Sequence, residues 1–469
     1  MKVEQIYTGC LAQGAYYIES NGESAIIDPL REVQSYIDLA HKRQSTIKYI
    51  FETHFHADFV SGHLTLSERT GAPIIFGPNA NPKFNCIVAD DNQEFNLGEV
   101  TIKALHTPGH TIESTSYLLL DENGNEYAIF SGDTLFLGDV GRPDLAQKSA
   151  DITQEQLAGI LFDSLRSKIM TLADETIVYP GHGAGSECGK HMSKETVGTI
   201  GEQKRTNYAL RANMTKEEFI SEVIDGLTVP PAYFPQNVKL NKEGYKDCDD
   251  VLMKSKNALS PDEFEKLATD SDNLVLDVRH QTDFTKGHIP GSVFIGLDGG
   301  FAPWVGAILK DILKPIMLVT PNGRLEEAII RLSRVGFDNV IGYLEGGFDS
   351  WQNSRKDVAF IESISSDQFA KLRNTSSISI VDVRKNTEYQ LEHIIDAQNF
   401  PLDKLNDYLS GFNPNKSTYV HCAGGYRSVI AISILKSKNI HNLIDIQGGF
   451  NAIKATNMPL NKYVCPNTI

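Results

Sequence analysis

The sequence predicts an α/β protein of three consecutive units, on three observations. Short β-rich runs alternate with polar helical stretches in the first half, a motif set then occurs twice, and 469 residues exceed one core at roughly 150 residues per domain. In the first unit, runs such as SAIIDP and IKYIFETH alternate with polar stretches, the pattern of layered sheets and helices. After LTVPPAYFPQNVKLNKEGYKDCDD the character changes: NALSPDEFEKLATD reads as a helix opened by Ser260 or Asp262, and LVLDVR as a buried strand. LVLDVRHQTDFTKGHIPGS then returns as SIVDVRKNTEYQLEHIIDAQ, with Asp277 and Asp382, like His288 and His393, 105 positions apart. LEGGFDSW returns as IQGGFNAI, with Gly346 and Gly448 separated by 102. Ordered recurrence at one period signals a duplicated small domain. The expected units are residues 1–255, 256–358 and 359–469.

Composition narrows the function classes. With 41% hydrophobic and 22% charged residues the chain is not disordered. It has no apolar run of roughly 18 residues, and MKVEQIYTGC lacks a basic flank before an apolar core, so neither a membrane span nor a signal peptide is expected and a cytoplasmic location is. Acidic residues outnumber basic ones, 60 to 44, for a formal charge of -16, which argues against a nucleic-acid partner. Six cysteines without a CxxC pair exclude a disulfide framework and leave thiol chemistry to single residues.

In FETHFHADFVSGH an apolar strand runs into His54, His56 and Asp58, three donors alternating onto one face at a strand end. His110 in HTPGHT, Asp133 in SGDTLF and His182 in YPGHG also stand where apolar stretches meet glycine-containing loops. One such histidine alone reads as a polar turn residue; four together read as a metal site. This set resembles the HxHxDH, later His, bridging Asp and final His of the metallo-β-lactamase superfamily, which implies an αββα sandwich. Phe59 stands where dinuclear hydrolases of that superfamily, the glyoxalase II thioesterases among them, carry a histidine for a second metal. GDTLFLGDVGRPDL is similar to the signature of the persulfide dioxygenases within the superfamily. That resemblance implies one Fe(II) per chain on His54, His110 and Asp133, a facial triad suited to non-haem iron, with His56, Asp58 and His182 bonding to or orienting the ligands. It also implies that Arg142 and, more loosely, Arg205 hold an anionic substrate. The tyrosine that follows the final histidine in that family is replaced here, Gly183 and Ala184 following His182. Tyr233 and Phe234 read either as linker or as walls of the cleft, and Cys188 either as a structural thiol or as a sulfur acceptor near the metal.

In the last copy a strand-like STYV leads into HCAGGYRS and a helical run, an arrangement that activates a thiol. Backbone N–H groups from Ala423, Gly424, Gly425 and Tyr426 to Arg427, with the guanidinium of Arg427, are placed to stabilise a thiolate or persulfide at Cys422. DVR, Glu388, His393, the six-residue Cys422 loop and GGF resemble a rhodanese sulfurtransferase domain, with Asp396 in HIIDA where glycine is usual. The preceding copy keeps DVR, GHIPGS and GGF but reads VTPNGRLEE at the loop, with Thr320 in place of the thiol; it is expected to be a scaffold. Cys10, Cys86, Cys248 and Cys465 carry no motif.

The whole resembles bacterial multidomain persulfide dioxygenase–sulfurtransferase fusions of the CstB type. This implies oxidation of a low-molecular-weight thiol persulfide by O2 to sulfite and thiol, sulfur transfer through Cys422 with thiosulfate as overall product, a role in sulfide detoxification, and a homo-oligomer. The rival reading is a glyoxalase II-like thioester hydrolase or lactamase-fold metallohydrolase fused to rhodanese domains.

Overall fold

The computed structural model describes residues 1–145, 147, 151–373, 378–413 and 415–462. The chain divides into two compact units, Met1–Asp250 with Leu332–Gly336, and Val251–Arg331 with Phe337–Ile469.

In the first unit, β1 (Lys2–Thr8), β2 (Gln13–Ser20), β3 (Glu23–Ile27), β4 (Thr46–Phe51), β5 (Ile74–Phe76) and β6 (Ile87–Val88) form one sheet in chain order. The second sheet runs in chain order through β7 (Glu94–Leu97), β8 (Val100–His106), β9 (Thr115–Leu120), β10 (Glu126–Gly132), β11 (Ile177–Pro180) and β12 (Gly198–Thr199). Strand alternation builds the layers. Tyr16 and Ile18 of β2 face inward onto Phe95, Ile102, Tyr117 and Phe130 of the other sheet. Ala15 and Tyr17 face outward, under helices α1 (Gln34–Lys42) and α2 (His63–Thr70). The outer face of the second sheet is covered by α3 (Gln154–Ser164) and α4 (Lys216–Ile224), through Leu157, Leu161 and Phe219 among others. Helix, sheet, sheet and helix make the αββα sandwich expected, and the loops leaving β4, β8, β10 and β11 carry His54, His110, Asp133 and His182.

In the second unit the repeated motifs form two five-stranded parallel sheets of identical connectivity. One contains β13 (Ala258–Leu259), β14 (Leu274–Asp277), β15 (Val293–Phe294), β16 (Ile316–Val319) and β17 (Val340–Leu344), ordered β13-β17-β16-β14-β15. The other contains β18 (Glu362–Ile364), β19 (Ser379–Asp382), β21 (Gln398–Asn399), β22 (Thr418–His421) and β23 (Leu443–Ile446), ordered β18-β23-β22-β19-β21; β20 (Glu392–Ile394) pairs with β24 (Leu460–Lys462) apart from it.

The recurring motifs are clamps. Arg279 is bidentate to Asp277 and lies 4.0 Å over the Phe348 ring; Arg384 does the same with Asp382 and lies 3.8 Å over Phe450. DVR and GGF therefore recur because each arginine pairs with its own strand and stacks on the phenylalanine of the distant loop. Asp396 has φ +65°, matching Gly291 at +80° in the first copy; a short polar side chain tolerates that left-handed turn, which accounts for the HIIDA departure.

Candidate metal centre and thiol loop

The turn after β4 is fixed by buried hydrogen bonds before any metal is considered. Asp28 accepts from Thr53 N–H and from the Thr53 hydroxyl, both at 2.8 Å. With its proton so engaged, Thr53 Oγ1 accepts from His54 Nδ1 at 2.9 Å, leaving the Nε2 lone pair of His54 for the site. His110 Nδ1 donates to the Arg142 carbonyl at 2.9 Å, which orients its Nε2 in the same way. These Nε2 atoms lie 3.9 and 3.5 Å from Asp133 Oδ2. Both separations are shorter than twice a metal–ligand bond of about 2.1 Å, so one ion can touch all three.

The surroundings fit a metal. Burial, followed by the neighbouring His56, His110 and His182, holds His54 well below the ordinary imidazole range, in the neutral form that ligates. Neither carboxylate oxygen of the buried Asp133 has a hydrogen-bond partner among the described residues. Buried carboxylates are paired or coordinate metals.

His56, Asp58 and His182 form a second group of potential ligand atoms, and Asp133, His182 and Cys188 a third. His56 is turned the other way, 3.1 Å from Asp28 and 3.4 Å from Glu52; burial disfavours its charge, but these carboxylates raise it to about 10. Asp58 and Asp133 likewise outweigh burial to raise His182. The Phe59 ring packs 4.3 Å from that of His56 and offers no donor. Cys188 is buried beside His182, and burial pushes its thiol up to about 12.

Arg142 corrects an expectation. Its guanidinium is bidentate to Asp144 at 2.7 and 2.8 Å and also donates to the carbonyls of Glu187 and Thr228, so its side chain serves the loop rather than a substrate. Its carbonyl is what reaches the site. Arg205 is exposed on the helix Ile200–Thr206 and is not among the residues that form the metal cluster. Tyr233 is buried with its hydroxyl 3.4 Å from the Asp58 carbonyl, which places it as a wall; Phe234 packs edge-on against it.

The thiol loop leaves β22 and enters α7 (Tyr426–Ser437), numbered after α5 (Phe234–Glu243) and α6 (Gln281–Lys286). Gly425 N–H donates to Cys422 Sγ at 3.1 Å, and Ser428 Oγ lies 3.7 Å from it. Gly425 takes φ +93°, and a Cβ on Gly449 would lie 2.5 Å from the Cys422 carbonyl, so two glycines allow the loop to close. Ala423 and Gly424 are at the open rim. Arg427 is bidentate to Glu388 at 2.6 and 2.8 Å, yet close enough to Cys422 to feel its charge. Tyr426 keeps its backbone at the loop, while its hydroxyl donates to the Gly296 carbonyl of the first copy at 2.7 Å.

The metallo-beta-lactamase superfamily model matches residues 8–182, and the rhodanese-like domain model matches residues 260–354 and 365–456. A solved metallo-beta-lactamase from Staphylococcus aureus subsp. aureus COL is 32% identical, covering 73% of this chain and 98% of its own at a TM-score of 0.64. The chain belongs to the metallo-beta-lactamase superfamily. Two rhodanese-like domains follow its lactamase-fold domain. ETHE1 from Myxococcus xanthus is 31% identical over 52% of this chain and 98% of its own, with a TM-score of 0.44. The cytoplasmic hydroxyacylglutathione hydrolase of Arabidopsis thaliana is 33% identical over 37% of this chain, which spans 65% of that relative's length.

Two sets of residues escaped the sequence reading. In the lactamase-fold domain, Thr53, Asp28 and Glu52 orient the histidines, and Tyr7 reaches over Gly183, where a Cβ would lie 2.7 Å from its hydroxyl. Glu52 and Thr53, in the FETHFH run, had a sequence cue; Asp28 and Tyr7 did not. In the last rhodanese-like domain, Asp445 accepts from Ser428 at 2.7 Å, and burial pushes its carboxyl up to about 6. The folded state thus binds this proton more tightly than the unfolded chain, and stability falls as pH rises from about 4 to about 6. Asp445→Asn is expected to remove that fall and so gain about 3 kcal/mol at pH 8 relative to pH 3, read as unfolding midpoints of both proteins at the two pH values. Equal pH dependence in both would refute it.

Proposed function

We propose that this chain is a persulfide dioxygenase fused to a sulfurtransferase, of the CstB type. The observation that carries the reading is the donor set: two imidazoles and one carboxylate converge, both Asp133 oxygens lack partners, and Phe59 fills the position a second-metal histidine would take. Such a triad suits Fe(II), which supplies open coordination positions and redox chemistry when bound. The chain's own residues do the rest. Thr53 and the Arg142 carbonyl fix the histidine tautomers, and Asp133 supplies the compensating charge. The balanced reaction is RSS⁻ + O2 + H2O → RSH + SO3²⁻ + H⁺. At the second site the Cys422 thiolate takes the outer sulfur of a persulfide, RSSH + Cys–S⁻ → RS⁻ + Cys–SSH. After loss of its proton, the cysteine persulfide passes that sulfur to sulfite, giving thiosulfate and Cys–S⁻. The partners proposed are a low-molecular-weight thiol persulfide, O2 and sulfite, in the cytoplasm.

The test is oxygen uptake by anaerobically prepared, Fe(II)-loaded protein given glutathione or coenzyme A persulfide, with thioester hydrolysis as control. Iron-dependent uptake at one iron per chain is expected. A second reading, a lactamase-fold hydrolase, draws on the His56, Asp58 and His182 group and on the hydroxyacylglutathione hydrolase relative. Thioester cleavage by the zinc form with no oxygen uptake would select it.

A further inference from the structure

Cys422 is only 1% exposed, so little water stands ready to take the proton of its thiol. A route through the protein is built instead. The thiol lies 3.7 Å from Ser428 Oγ, toward which it can donate, and the Ser428 hydroxyl donates in turn to Asp445 Oδ1 at 2.7 Å. Ser428 and Asp445 are themselves buried, the first in the opening turn of α7 and the second on the neighbouring strand β23. Gly425 N–H, donating to Sγ at 3.1 Å, stays in place when the proton goes.

The line belongs to the copy that has a thiol. At the 102-residue offset that relates Gly448 to Gly346, the positions of Cys422, Ser428 and Asp445 hold Thr320, Glu326 and Tyr343. DVR and GGF, which clamp the fold, stand in both copies, whereas all three members of the line differ in the copy without a nucleophile. The charges around Asp445 leave it free to act. Across the sheet it stands between Val420 of β22 and Ser363 of β18, neither of which titrates. Arg427 of α7 is paired with Glu388, His421 of β22 lies 3.8 Å from Asp382, Glu362 is next to Ser363 on the edge strand, and Lys286 of α6 lines the cleft that Asp445 borders. Burial pushes the Asp445 carboxyl up to about 6 against the opposing Ser428 bond, which makes it a stronger proton acceptor than an ordinary carboxylate.

We infer that Asp445, acting through Ser428, takes the proton of the Cys422 thiol and so prepares the thiolate that accepts sulfur. The inference rests on the proposed sulfur transfer and adds the group that starts it. The thiol proton passes to Ser428 Oγ as the Ser428 hydroxyl proton passes to Asp445 Oδ1. Cys422–SH and Asp445–COO⁻ become Cys422–S⁻ and Asp445–COOH, with Ser428 unchanged. With thiosulfate as donor, the thiolate bonds to the outer sulfur, the bond between the two donor sulfurs breaks, and sulfite leaves with its electron pair: Cys–S⁻ + S2O3²⁻ → Cys–SS⁻ + SO3²⁻. Asp445 touches neither sulfur and is a positioning residue.

Single-turnover release of sulfite from thiosulfate is measured in the full chain from about pH 5 to about pH 9, a range over which thiosulfate stays a dianion. In the wild type the rate is expected to fall below about pH 6, where Asp445 takes its proton from solvent. In Asp445→Asn, whose amide accepts no proton, this limb should move up by more than about one pH unit, toward the range of an unassisted thiol at about 8.5. The rate near neutral pH should fall about tenfold or more and return to within about twofold of wild type by about pH 9, with half-saturation by thiosulfate changed less than about twofold. Ser428→Ala breaks the line at its middle and should move the limb in the same direction. An unmoved limb in both variants overturns the inference, as does an equal loss at every pH with circular dichroism intact, which marks a packing role. If Cys422→Ser still releases sulfite, the sulfur-transfer reading itself falls; if release needs Cys422 but its limb ignores Asp445 and Ser428, only the proton route is refuted.

Discussion

Asp133→Asn is expected to abolish persulfide-dependent oxygen uptake, by about 10³-fold or more, and to lower bound iron to a small fraction of one per chain. The amide keeps the shape of the carboxylate but removes the one negative charge that the His54, His110 and Asp133 set offers a divalent ion. That charge matters because Asp133 is buried and neither oxygen is spent on the protein. A buried carboxylate ligand without its ion is a costly charge that His182, 3.7 Å from Asp133 Oδ1, offsets only in part, so the site is built for an ion rather than for stability. The variant should keep its far-ultraviolet circular dichroism, since the strand ends around it are held by Asp28 and Thr53 instead. Metal analysis and an oxygen electrode decide the matter. Full iron content with full uptake would remove Asp133 from the site.

Cys422→Ser is expected to eliminate thiosulfate formation, by about 10³-fold or more, while oxygen uptake at the lactamase-fold domain continues. A serine hydroxyl retains the hydrogen bond from Gly425 but is a far weaker nucleophile at neutral pH and cannot carry sulfane sulfur. Sulfite should then accumulate in place of thiosulfate. Loss of oxygen uptake together with transfer would mean that the two reactions share one site and would contradict the division of labour proposed here.

The sequence made legible whatever is local or repeated. His54, His56 and Asp58 follow β4 in one short turn, so their nearness in sequence brings them to one end of the sheet, although His56 turns to Asp28 and Glu52 instead of joining His54. The repeats were legible because Arg279 and Arg384 must meet Phe348 and Phe450, a requirement that preserves motifs in both copies. What stayed hidden depends on folding partners remote in sequence. Arg142 was read as substrate-facing because its loop follows Asp133, whereas Asp144 and the carbonyls of Glu187 and Thr228 take its donors. The Tyr426 hydroxyl bonds to the Gly296 carbonyl of the first copy, a contact that no motif in the sequence announces. Tyr7 lies too far along the chain from Gly183 for any motif to join them.

Helix α7 carries a wider consequence. Every residue from Ser428 to Leu435 is buried, so the helix lacks the polar face of an ordinary surface helix, and its neighbours include Phe294 and Gly296 of the first copy. The copy without a thiol therefore covers this helix as a packing partner. Cut free as an isolated fragment, the last domain would turn Tyr426 and its neighbours outward as a sticky surface prone to self-association. The two copies thus differ in chemistry but share one packed surface, and the last domain is expected to stay monodisperse only with its neighbour in place.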